Sequence, residues 1–469
     1  METPNNLLER FNKWLSESIM IKLGSIGFLV LILLIPSAWI DSIIREREER
    51  AQTVVDEISS KWSGPQTING PLLILPYIFR YESEIDQEKI VNGKTVYEKK
   101  KVMKEETRKA YFLPDGLKIN ATVQPEIRHR GIFEAAVYKS SIDLKATFNK
   151  PSLIEQKIPD EDIVWADAQL VVGIKDLRGI SDNPILKVGD TNLVGEASSE
   201  LRFFSERAYN DDNGNTSPGN GVIVKLPWKT AADFSGMVNM SLALKGSTSL
   251  NFTPVGKTTE VALSGPWANP SFDGSFLPND PKISESGFTA DWKVLHFNRP
   301  FSQSWLEEER NLTGSTFGAK LLIPVDQYQK SMRTSKYGVL IILLTFISLF
   351  MVEIMKKIRI HPFQYILIGA ALIIYYSLLL SFSEQVGYNW AYLIATISTV
   401  ILVGLYSVTF LSNKTLIITF TSLLTFFYGF IFVIVQLQDL SLIIGSIGLF
   451  LIIAAIMYFS RGIKWYKES

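Results

Sequence analysis

Between Phe363 and Ser460 the chain carries only three charged residues, Glu384, Lys414 and Asp439, and each falls at a break between apolar runs. A water-soluble fold of this length would need charged faces throughout. These runs are instead each about twenty residues long, which at about 1.5 Å per helical residue matches a hydrocarbon layer of about 30 Å. Five can be counted: Tyr337 to Met355, Phe363 to Phe382, Trp390 to Phe410, Leu416 to Val435 and Leu440 to Phe459, with a sixth upstream from Met20 to Ile40. Unbroken apolar runs without alternation predict helices, which satisfy their own backbone hydrogen bonds in lipid, rather than barrel strands. The expected membrane part is therefore a bundle of six transmembrane helices.

The short connections predict its orientation. Lys356, Lys357 and Arg359 follow the second span, Lys414 follows the fourth, and Arg461, Lys464 and Lys467 follow the sixth. The connections after the third and fifth spans have no Lys or Arg. Basic loops stay on the cytoplasmic side, and Arg10 and Lys13 in the N-terminal tail agree with them. Both termini are then cytoplasmic, and the long segment after the first span lies outside. Pro36, Ser37 and Ala38 resemble a signal-peptide cleavage region, but the helical pattern continues straight through them, predicting an uncleaved anchor. Ile40, Ile43, Ile44, Ala51, Val54, Val55 and Ile58 keep helical spacing among charges such as Arg45 and Glu49, so the anchor is expected to extend as a stalk. The predicted organisation is a cytoplasmic tail over 1–19, a first transmembrane helix over 20–40, a helical stalk over 41–62, a periplasmic β-rich domain over 63–336, a five-helix bundle over 337–460 and a cytoplasmic tail over 461–469.

The outer segment alternates with period two, which predicts a large, mostly antiparallel β domain half-buried strand by strand. In Leu117 to Gln124, Leu117, Ile119, Ala121 and Val123 share one face. In Ser141 to Asn149, Ile142, Leu144, Ala146 and Phe148 do the same. Val238 to Leu244, Thr248 to Phe252, Thr259 to Leu263 and Phe288 to Val294 are further strand candidates. Asn92-Gly93 suits the positive φ of a tight hairpin turn, and Glu98 to Lys109 suits its solvated arm. Asn210 to Gly221, rich in Asp, Asn, Gly, Ser and Pro, is expected to be a loop, either a mobile tip or a junction between two lobes. Trp62, Gly64, Pro65, Gly70 and Pro71 fall where the stalk must turn into a sheet.

No chemistry-bearing signature is present: no Walker A loop, HExxH, GxSxG elbow or cysteine, which also excludes disulfides and acylation at cysteine. The three histidines, His129, His296 and His361, divide between the two sides of the predicted topology. No cofactor or metal is expected. A net charge of zero gives no reason to expect a nucleic-acid partner. Ionisable groups at membrane spans are the natural functional candidates. Glu353 is the closest to being intramembrane, and its spacing favours an i, i+4 pair with Lys357. Glu384 sits at the outer end of the third span. His361-Pro362 is expected to open that span, with Pro362 at the first helical position. Asp326, Tyr328, Gln329, Arg333 and Lys336 lie where the chain returns to the membrane, as a polar collar for lipid headgroups or a partner, or as a structural lock. Asn298-Arg299-Pro300 suggests a strand exit with a structural arginine. Gly24-Ser25-Ile26-Gly27 recurs as Gly445-Ser446-Ile447-Gly448, either a contact between the first and sixth spans or a chance repeat.

Five blocks in fixed order resemble the CreD family of bacterial inner-membrane proteins associated with cell-envelope integrity. They are EISSKWSGPQTINGPLLILPY from Glu57, YFLPDGLKINATVQPEIRHRGIFEAAVYKSSIDLKATF from Tyr111, GFTADWKVLHFNRPFSQSW from Gly287, LLIPVDQYQKSMRTSKYGVLIILLTF from Leu321 and HPFQYILIGAALIIYYSLLLSFSE from His361. The resemblance implies an envelope-stress or maintenance role in a two-membrane bacterium, sometimes under a two-component regulator, and supplies no reaction. Where the family typically has Ser-Glu-His, this chain has Ser383, Glu384 and Gln385, which argues against a Glu–His proton relay there. The favoured expectation is a non-enzymatic envelope protein acting through its outer β domain on an envelope protein or cell-wall partner, with membrane lipids around its spans. The alternatives are a transporter or channel formed by the bundle and gated by the domain, and an enzyme acting on lipid-linked substrates. The near absence of charge within the spans weighs against a conduit.

Overall fold

The computed structural model describes residues 19–461, apart from 92–93, 208–215, 309, 324–325, 357, 412 and 438–440. The N-terminal tail, the Asn92-Gly93 turn and most of the C-terminal tail lie outside the described residues. The chain forms two compact units, one from the described parts of 1–52 and 325–469, the other Thr53–Pro324.

The first unit is helical. Helix α1 (Ile19–Trp62) runs 44 residues without a break at Pro36. A proline in a long apolar helix is tolerated because neighbouring groups can satisfy the backbone it frees. Along its middle, Ile40 and Ile44 are buried one turn apart, whereas Ile43, expected on the same face, is exposed. Then follow α2 (Asp326–Lys336), α3 (Gly338–Lys356), α4 (Pro362–Val386), α5 (Tyr388–Ser407), α6 (Lys414–Gln436) and α7 (Ser441–Ser460). Among the described residues, five helices are long and apolar enough to cross a membrane: Lys22–Trp62, Gln327–Lys356, Pro362–Val386, Tyr388–Ser407 and Lys414–Gln436. A further apolar helix covers Ile443–Tyr458.

Small residues and tyrosines set the packing of this unit. At Gly369 on α4 a Cβ would overlap Leu33 of α1 and approach Phe346 of α3, so the missing side chain is what lets three helices meet. The ring of Tyr375 lies 4.9, 5.8 and 4.6 Å from those of Tyr376, Tyr392 and Tyr428. The Tyr392 hydroxyl donates to the Tyr428 carbonyl at 2.6 Å, tying α5 to α6. Thr334 and Tyr388 share a hydroxyl–hydroxyl bond of 2.6 Å between α2 and α5. The repeated Gly-Ser-Ile-Gly string does not bring its glycines together. Gly448 receives the ring of Phe430 from α6, while a Cβ on Gly24 or Gly27 would meet open space.

The second unit is two β-sheets. The nine-stranded sheet runs Pro270–Gly274, Phe317–Leu321, Ser249–Phe252, Gln66–Val91, Gln169–Ile174, Thr216–Lys225 and Glu196–Arg207, with Lys94–Phe112 on Gln66–Val91 and Ser304–Leu306 on Lys94–Phe112. The eight-stranded sheet runs Lys282–Ser284, Gly287–Leu295, Thr258–Gly265, Gly116–Arg130, Phe133–Thr147, Met237–Ser247, Ile185–Val188 and Thr191–Val194. Pairing is mostly antiparallel. Two exceptions are parallel: Gln66 to Ile68 with Leu250 to Phe252, and Gly116 to Thr122 with Thr258 to Ser264. The inward faces of both sheets join in one hydrophobic core, with Leu72, Val171 and Phe317 from the first and Ile119, Leu144 and Trp292 from the second. Trp292 and Phe317 meet across it at 5.5 Å.

The alternating segments named from sequence fall in strands of this unit except at Phe148, Asn149 and Thr248, which lie just beyond strand ends, and Leu117, Ile119, Ala121 and Val123 are buried as their period requires. The charged arm pairs in register out to Val91 opposite Lys94. Its cross-strand Lys99–Glu84 and Lys101–Glu82 pairs are exposed, as suits a solvated hairpin. Arg299 is buried, donating to the carbonyls of Phe301 and Val255 and to Gln303, a structural arginine as its context suggests. The loop expected over Asn210 to Gly221 needs correction. Residues 208–215 are outside the described set, but Thr216 onward is strand, paired with Glu196–Arg207 and Gln169–Ile174. Its glycines serve packing: a Cβ on Gly219 would strike Phe204, and one on Gly221 would strike Val172 and Leu201.

Candidate functional site along the first helix

Two of the ionisable residues picked out by sequence, Glu353 and Glu384, form two nodes, and at each node α1 supplies the cation. Glu353 lies in the last turn of α3, where the carbonyl end of the helix disfavours a negative charge. It is also almost fully buried, 4% exposed, so its carboxylate needs partners. Lys22 Nζ donates to Oε1 at 2.7 Å, the Tyr365 hydroxyl donates to Oε2 at 3.2 Å, and the backbone N–H of Ile360 approaches Oε1 at 3.4 Å. The cation therefore comes from another helix and not from the expected i, i+4 position; Lys357 itself lies outside the described residues.

His361 and Pro362 aim Tyr365 at this carboxylate. The His361 Nδ1 accepts from the N–H of Phe363 at 3.2 Å, and the N–H of His361 donates to Gln364 Oε1 at 3.0 Å. This reciprocal cap, with Pro362 in the first helical position, starts α4 so that Tyr365 falls one turn in. His361 thus acts on the node through helix geometry.

The second node is Glu384, near the end of α4, where the helix dipole again opposes it. The Tyr328 hydroxyl donates to Oε1 at 3.1 Å, and Arg47 Nε lies 3.9 Å from the same oxygen. Glu384 is about one-tenth exposed and Arg47 about half. Tyr328 belongs to α2, so the predicted collar residues and Glu384 meet here through that tyrosine. Asp326 opens α2, with its side chain outside the described set, and Arg333 is half-buried in the last turn of α2. Glu353 and Glu384 occupy separate nodes. Lys22 and Arg47 are 25 residues apart in α1, a rise of about 37 Å, close to the thickness of a bilayer with part of its headgroup regions.

The far end of α1 is tied into the β unit. Arg178 Nη1 donates to the carbonyl of Ser60 at 2.7 Å, capping the last turn with a cation where the dipole favours one. Trp62 ends the helix, with the guanidinium of Arg128 5.0 Å and Lys245 Nζ 5.3 Å from its ring. Behind it, Gln66 is wholly buried. Its Nε2 lies 2.9 Å from Ser63 Oγ, 2.9 Å from the Asp176 carbonyl and 3.1 Å from the Lys245 carbonyl, three acceptors that share its two hydrogens, while its Oε1 accepts from the Asp176 N–H at 3.1 Å. The Asp176 carboxylate accepts from the N–H of Gly64 at 2.9 Å and pairs with Arg178 at 2.7 Å. Burial raises the pKa of Asp176, but Arg178 and the amides of Gly64 and Arg178 outweigh it and bring it down to about 2.

Sequence reasoning missed Lys22, Arg47, Gln66, Asp176 and Arg178. For Lys22 there was a signal, a cation inside an apolar run. For Gln66 there was none, because apart from Ser63 its partners, Asp176 and Lys245, are 110 and 179 positions away. Among the described residues, no three His, Cys, Asp or Glu side chains are grouped to hold a metal ion. What the arrangement provides is attachment: ionic and hydrogen-bonded contacts that fix α1 within each unit.

A family model described as "Inner membrane protein CreD" matches residues 18–466. The Escherichia coli (strain K12) protein described as inner membrane protein CreD is 31% identical over 459 residues, spanning 97% of this chain and 95% of that protein.

Proposed function

The chain belongs to the CreD family of inner membrane proteins, and from that premise we infer that it is a non-enzymatic protein of cell-envelope integrity and stress response that acts through a periplasmic β unit. Six apolar runs of spanning length support six spans, and the basic connections at Lys356, Arg359 and Lys414 support cytoplasmic termini with the β unit outside. The Lys22–Glu353 node then marks the cytoplasmic end of the bundle and the Arg47–Glu384 node the periplasmic end.

The observation that carries this proposal is that Thr53–Pro324 has a compact body and a hydrophobic core of its own. It is built to present a surface to an envelope protein or cell-wall partner. The nodes on α1 suit anchorage, because a cation held at each end resists both sliding and rotation of the helix.

Rescue of envelope-stress sensitivity in a deletion strain tests this proposal, comparing the full chain with one ending after Ser331 that keeps α1 and the β unit. Immunoblots of membrane fractions establish that both are present and exported. The expected result is that the shorter chain restores most of the resistance. A stable, exported shorter chain that restores none would place the activity in the helical bundle and favour a conduit.

A further inference from the structure

A groove of about 610 Å³ opens between α3, α6 and α7. One wall runs from Leu344 to Lys356 on α3, a rise of about 18 Å, which is close to the depth of one leaflet of hydrocarbon. Toward the inner end the ring of Phe430 on α6 sits against Gly448 on α7, where any Cβ would overlap it, so these two helices touch there. The other end opens at Lys356. Two lining residues, Ser348 and Thr419, are polar, yet both hydroxyls bond back to their own helices, to the carbonyls of Leu344 and Thr415 at 2.7 and 2.8 Å. The walls thus present carbon, because a hydroxyl bonded back to its own helix offers no free donor.

We propose that this groove holds one acyl chain of an anionic phospholipid, with the headgroup phosphate at Lys356. Three observations select this occupant: apolar walls, a groove about as long as one leaflet is deep, and a cation at its mouth. Lys414 opens α6 two residues before the lining residue Leu416, adding positive charge and a helix N-terminus to the same end. The inference depends on the membrane placement of these helices and not on the envelope role, so the two stand or fall separately.

The test uses the full chain in vesicles containing phosphatidylglycerol with a photoactivatable group on its acyl chain, or phosphatidylcholine carrying the same group. After illumination, labelled peptides are mapped by mass spectrometry. Labelling is expected to concentrate on the groove faces of α3, α6 and α7, with phosphatidylglycerol favoured about fivefold, the worth of one lysine near an anionic surface. Lys356→Gln should remove that preference, and Ala455→Trp should fill the groove and reduce labelling by both probes. Lys356→Gln changes an exposed side chain, so its result does not depend on a repacked core. Equal labelling of the outward faces of α4 and α5, around Ile374 and Ile397, would overturn the proposal. So would an unchanged preference in Lys356→Gln, or crosslinks to a second copy in place of lipid.

Discussion

Replacing Gln66 with Leu should open the junction at the end of α1 while leaving the remainder of the β unit closed. The side chain has no exposure to solvent; its two amide hydrogens are shared among Ser63 and the Asp176 and Lys245 carbonyls, and its oxygen accepts from the Asp176 N–H. Leucine fills similar space and makes none of these bonds. At about 1 kcal/mol net per bond, and with the Asp176 N–H and Lys245 carbonyl left buried without that partner, the loss is about 4 kcal/mol. At about 1.4 kcal/mol per factor of ten, protected amides nearby should exchange about a thousandfold faster if they open with the junction. Hydrogen exchange of the full chain, read by mass spectrometry, measures this at the N–H groups of Gly64 and Lys175, which bond to Asp176 and to the Thr67 carbonyl and not to Gln66 itself. Amides of Thr258–Gly265 provide the control. Acceleration of less than about tenfold would refute the claim that Gln66 holds the junction together.

Asp176 makes the β unit acid-sensitive. Its folded pKa of about 2 lies below the ordinary 3.8, so its contribution is complete above about pH 4 and disappears as pH falls through about 2. The full shift corresponds to about 2.4 kcal/mol, which solvent screening at this partly exposed site reduces to about 1 kcal/mol. Asp176→Asn should therefore flatten stability against pH over that range, measured by denaturant unfolding at stepped pH; an identical slope would remove Asp176 from the account. Lys22→Gln and Glu353→Gln should be coupled by about 1 kcal/mol in a double-mutant cycle of thermal unfolding in detergent, and additive effects would show that the ion pair contributes nothing. Gly221→Val should cost about 1–3 kcal/mol by overpacking against Val172 and Leu201, whereas a change within about 0.5 kcal/mol would indicate a tolerant loop.

Individual positions show where sequence reasoning carried and where it stopped. The strand at Gly116–Arg130 was legible because Leu117, Ile119, Ala121 and Val123 bury one face at a period no helix shares. The start of α4 was legible because a proline in the first helical position is a local preference. Thr216 to Gly221 was misread because Ser, Pro, Gly and Asn weaken strands in general. Here Phe204 and Leu201 need the space that Gly219 and Gly221 leave. The cation for Glu353 was assigned to a neighbour in sequence, whereas Lys22 reaches it across 331 positions.

By itself, the sequence determined where the apolar helices run and which segments alternate as strands, since hydrocarbon thickness and the pleat each impose a period on a continuous stretch. It also carried the family resemblance, which matching over residues 18–466 bears out. The fold alone sets which carboxylate meets which cation, what Gln66 ties together, and that three helices leave an apolar groove between them. Those features depend on side chains brought together from distant positions, and a buried charge or amide is stabilised by whatever partner the fold places beside it, with no periodic trace along the chain.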